Sequence, residues 1–298
     1  MVKTKEFLPR IPAIYMANDM SSVLSEDELA EIKWAYDHLE HPSLGARLSA
    51  VLATPIEEGL KLLPKTWQGN LDKIAQISIR QVLKINLSTE MTSSSARSRF
   101  WSHKFIAAGI GAVGGFFGPL TLVAELPIVT VLILHAIADV ARVEGEDLSD
   151  PEARMACAQV FAFGGRTKDD NAADLGYYGL RATLGLHFER DILEFAAGAN
   201  GPHIPVTINF IRSVAARFGV VISDRVAARM VPIAGSASGA TLNLIFINHY
   251  QSVARGHFIL RRLERKHGAE LVQQAYERFA KLESSGEDSA FASVHGWG

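Results

Sequence analysis

Residues 107–147 read "AAGIGAVGGFFGPLTLVAELPIVTVLILHAIADVARVEGED". Phe105 to Ala124 is twenty residues without a charge, five of them glycine, and Leu126 to Ala138 adds thirteen more uncharged residues. Glu125 alone stands between them. No run of alternating apolar and polar residues crosses the stretch, so its reading is helical. Small residues on an apolar helix let a second backbone approach closely. The stretch therefore predicts a glycine-rich apolar helical hairpin. Its second arm is expected from about Glu125 to Val143, with Pro127 tolerated in the first turn.

Helical signals continue on both sides. Residues 1–24 read as an irregular arm. Ser25 followed by Glu28 forms a capping box that opens a helix through about Glu40, with Leu29, Ile32, Ala35 and Leu39 on one face. His41-Pro42-Ser43 breaks the chain, a second helix runs to about Leu63, and a third is expected from Asn70 to Asn86. "LSTEMTSSSARSR" is polar and Ser/Thr-rich, as a linker is. Beyond the hairpin, Asp150-Pro151 opens a helix that Gly164-Gly165 ends. Further helices are expected over about Asp174–Ala197, Val206–Phe218, Ser223–Pro232, Gly235–Lys266 (one helix, or two joined at Gly256) and Ala269–Leu282. The fold class is all-α, a multi-helix bundle around the hairpin. The organisation is an arm over 1–24, a helical region over 25–90, a linker with a basic and aromatic flank over 91–104, a main helical domain over 105–283 and a mobile tail over 284–298.

Composition narrows the function. The 298 residues are 48% hydrophobic and 21% charged, enough apolar content for a sizeable core. Net charge is -2, and no segment gathers the lysine and arginine that a nucleic-acid footprint requires. Cys157 is the only cysteine, which excludes an internal disulfide and multi-cysteine zinc sites; its apolar setting suits a small core residue. The first twenty residues lack a continuous apolar core, so no secretory signal is expected. Cytoplasmic residence, peripheral to the inner face of the cell membrane, is the expectation.

Five motifs point to a family. "GGFFGPLTLVAELP", "AIADVARVEGEDLSDPEARMACAQVFAFGG", "GYYGLRA", "RFGVVISDRVAARMVPIAGSASGATLN" and "HYQSVARGHFILRRLERKHG" together resemble the EcsC protein family, in order, from Ile106 to Gly268. That family takes its name from a bacterial operon that also encodes an ABC transporter. The resemblance implies a bacterial helical protein in a transport or secretion context, and it implies no agreed catalytic activity. One departure is that the family often has Arg where this chain has His135.

Candidate site residues fall on two helices. At about 100° per residue, Glu125, Leu132, His135, Asp139 and Arg142 share an arc of roughly 100° on a helix otherwise almost wholly apolar. Unpaired burial of such groups would cost roughly 2–7 kcal/mol each or more, so they need partners, water or a ligand. Three readings fit this stripe. It is a structural buried network, a metal or acid–base site built on Glu125, His135 and Asp139, or a polar track in a membrane-associated bundle. The second reading makes the protein a metal-dependent hydrolase. Near the C-terminus, Asn248, Gln251, Arg255 and Arg262 share an arc of roughly 60°. Asp139 is expected to pair with this second stripe through Arg255 or Arg262, with Arg142 as its nearer alternative partner. Tyr177, Tyr178 and Arg181 read as core-edge aromatics beside a surface cation.

A membrane anchor is the last candidate. Arg97, Arg99 and Lys104 flank Phe100 and Trp101 just before the uncharged run, and Phe116 and Phe117 lie within it. Cations and a tryptophan beside an apolar segment are the signature of an interfacial anchor. Pro119 and the glycines favour a re-entrant or surface-inserted hairpin over a true span, and a completely buried central hairpin fits equally, since a buried helix is apolar all round. "GIGAVGG" resembles a phosphate cradle only in its glycines. No strand precedes it and no Lys-Ser/Thr follows, so helix packing explains it better. A membrane surface or membrane protein is the partner class these features allow. No cofactor and no oligomeric state is indicated.

Overall fold

The computed structural model describes residues 23–41, 122–164, 176–185, 214 and 237–284. Helices account for nearly all of this, and no strand occurs among the described residues, so the class is all-α. The apolar run before Leu122, the linker and the helices expected near 43–63, 70–86 and 223–232 lie outside the described residues.

α1 spans Glu26–Glu40 and begins with the expected capping box. The Glu28 backbone N–H donates to Ser25 Oγ at 3.3 Å, and the Ser25 N–H donates to Glu28 Oε2 at 2.9 Å. Leu24 and Leu29 hold the two positions of a hydrophobic staple, and both are buried. The buried face continues through Ile32, Ala35, Tyr36 and Leu39. His41 leaves the helix because Pro42 follows, and a residue before proline is pushed out of the helical region.

α2 spans Leu122–Val143 and stops at Gly145, whose φ of 84° belongs to the left-handed region. Gly145 N–H donates to the Arg142 carbonyl and Glu146 N–H to the Ala141 carbonyl, the two bonds of a Schellman stop. Asp147 then accepts from the backbone and side chain of Ser149, which holds its carboxyl below the usual range. Asp150 caps α3, Pro151–Phe163, with proline at the first position. α2 packs against α3. Residues 177–185 are helical and are labelled α4.

α5 is one unbroken helix, Ala237–His267, through Gly256. It ends at Gly268, with φ 93° and an N–H bonded to the Glu264 carbonyl, and α6, Ala269–Ser284, starts at once. The chain divides into two compact units: Met1–His41 with Arg255–Gly298, and Pro42–Ala254. The first unit contains α1, the C-terminal half of α5, and α6, which packs against α1. The second contains α2, α3, α4 and the N-terminal half of α5.

Candidate functional site

The stripe on α2 lies on that helix's least buried arc. Ile128, Val131, Leu132, His135, Asp139, Arg142 and Val143 fall within roughly 120°. Ile128 and Val143 are 53% and 66% exposed, while Val129, Ile133, Ile137 and Ala141 on the other side are fully buried. Between these two exposed positions the arc is deeper: His135 is half-buried and Asp139 is buried, so the carboxylate needs a partner. Asp139 is the deepest of them, and its carboxylate accepts from Arg142 Nη1 at 2.9 Å, the i, i+3 neighbour. His135 Nδ1 lies 2.9 Å from the Val131 carbonyl one turn back. The Glu125 side chain lies outside the described residues. Among the described residues no group of three or more His, Cys, Asp or Glu is placed to hold a metal ion.

The four residues aligned on α5 do not share one environment. Asn248 is exposed, and Gln251 is buried, with an Oε1 that has no hydrogen-bond partner among the described residues. The Arg255 guanidinium lies over the Trp34 ring at 4.6 Å, and Arg262 Nη2 donates to Glu31 at 2.8 Å. A helix rises about 1.5 Å per residue, so fourteen residues span about 21 Å. Angular alignment over that length crosses from one unit of the chain into the other. Asp139 and the two arginines thus have their described contacts elsewhere than in the expected shared network.

Within the second unit, α3 and α5 meet at a close junction. His249 Nε2 lies 2.6 Å from the Gly164 carbonyl, and the Tyr250 and Phe161 rings are 5.3 Å apart. A Cβ built on Gly164 would stand 2.5 Å from Tyr250 Cε1, so only glycine fits. Cys157 is fully buried in α3, as its apolar setting suggested. On α4, Arg181 lies about 6 Å from the rings of Tyr177 and Tyr178, and Tyr177 packs edge-on against Phe163.

A polar seam that was not foreseen joins α1 to the C-terminal half of α5 and to α6 among the described residues. Glu28 accepts from Lys266 at 2.7 Å and lies 2.8 Å from His267 Nε2, besides closing the capping box. Burial opposes ionisation of Glu28, yet hydrogen bonds from Lys266, His267 and Ser25 outweigh it and hold the carboxyl at about 2. Glu31–Arg262 and Trp34–Arg255 continue the seam in antiparallel order. At its other end Tyr36 donates to Glu283, which His41 also approaches, and Tyr276 donates to Glu40 at 2.8 Å. Burial, then the Glu283 carboxylate, pushes the Tyr36 phenol far up. One signal for this seam was legible: acidic Glu26, Asp27 and Glu28 open α1, and basic Arg265, Lys266 and His267 close α5.

The model of the EcsC protein family matches residues 43–263. The chain belongs to the EcsC protein family. No curated protein and no solved structure matches it. The EcsC segment begins well before Ile106, so it includes much of the N-terminal region that the five motifs left out. It contains both stripes and the Gly164–Tyr250 junction, whereas α1, Lys266, His267 and α6 lie outside it. Among the described residues, no helix is long and apolar enough to cross a membrane.

Proposed function

We propose that this EcsC protein is a peripheral membrane module of the cytoplasmic face, acting beside a transporter or another membrane partner. The observation behind this reading is the twenty-residue uncharged run Phe105–Ala124, preceded by Arg97, Arg99, Phe100, Trp101 and Lys104. Each cation near an anionic surface contributes about 1 kcal/mol of attraction. Burying a phenylalanine such as Phe116 or Phe117 adds about 1.5–3 kcal/mol. Together these suffice for reversible attachment without a span. The transport setting rests on the resemblance that gives the family its operon-derived name.

Flotation with phosphatidylcholine–phosphatidylserine vesicles tests the proposal. The full chain should rise with the vesicles. Phe116→Asp with Phe117→Asp should abolish the rise, and Arg97→Glu with Arg99→Glu should make it more sensitive to salt. Equal behaviour of wild type and both variants would remove the membrane reading. The hydrolase reading makes a different demand, a stoichiometric divalent metal in the purified protein that is lost on His135→Ala. Elemental analysis measures it directly.

A further inference from the structure

We draw no further inference here: the strongest candidate, the surface patch on α2 marked by exposed Ile128 and Val143, carries nothing, because nothing in the structure shows what covers it.

Discussion

Gly164 leaves no room for a side chain, because the buried Tyr250 ring occupies the space a Cβ would take, with its Cζ at 3.0 Å. Gly164→Ala should therefore cost about 1–3 kcal/mol by overpacking. Gly256→Ala should cost less. Its Cβ would meet Leu39 Cγ at 3.1 Å, which can turn aside, and Ala35 Cα at 3.4 Å. Gly185 has nothing within 4 Å, so Gly185→Ala should change stability by less than about 1 kcal/mol, and in the stabilising direction. Urea denaturation of the three variants gives the ranking, and a Gly164→Ala no weaker than Gly185→Ala would contradict it. The sequence marked glycines by local density, around Gly109–Gly118, and so pointed to close packing there. It marked Gly164 only as a helix stop. The space beside a glycine is set by a residue distant in the chain, here Tyr250, and no local pattern encodes that.

On the scale of helices, periodicity fixed which residues share an arc but not where the arc faces. The α2 wheel puts His135, Asp139 and Arg142 on one arc, and how deep each lies depends on neighbours the wheel does not contain. The Asp139–Arg142 pair, with side chains 11% and 35% exposed, should show a coupling of about 0.3–1 kcal/mol in a double-mutant cycle on Asp139→Asn and Arg142→Met. Additive losses would mean that the contact contributes nothing. Caps were the most legible feature: Ser25 with Glu28, Asp150 with Pro151, and the stop after Gly164 all stand where the residues put them. Glu28 does more than cap, and this gives a pH prediction. Its folded value of about 2 lies below the ordinary 4.5, so its contribution is complete above pH 4.5 and is lost as pH falls toward 2. Glu283 shifts in the same direction; burial opposes the shift, and hydrogen bonds from Tyr36 and His41 drive it. Glu28→Gln should lower stability at pH 7 by about 1.5–3 kcal/mol, the range for hydrogen bonds to a charged group. Its urea midpoint should converge with that of wild type near pH 2. Parallel curves across the acid range would show that the seam does not depend on the Glu28 charge.

For the whole chain, composition and periodicity say more than sequence order does. The all-α class followed from periodicity and caps alone, but the packing of α1 against the C-terminal half of α5 and against α6 did not. The first unit depends on α1 lying against the last turns of α5 and against α6, an association between residues more than two hundred positions apart. The EcsC segment ends at residue 263, inside α5, and excludes both flanking helices. Removing them would open the arc of α5 around Gly256, beside which Leu39 and Ala35 of α1 lie, and with it the fully buried Ile259 and Leu263, within about 60° of Gly256 on the same helix. Each such exposure loses about 1.5–3 kcal/mol, and a domain's whole margin is only about 5–15 kcal/mol. A fragment of residues 43–263 should therefore aggregate or melt well below the full chain. Ile32→Ala in the full chain supplies the graded version of the same test. Ile32 is fully buried in α1, and its truncation should cost about 2–5 kcal/mol while leaving the chain folded. If the fragment stays monodisperse with the full chain's melting temperature, and Ile32→Ala costs no more than the roughly 0.5 kcal/mol of a surface change, then α1 and α6 are appendages. The alternative outcome makes them part of what keeps the C-terminal half of α5 out of water.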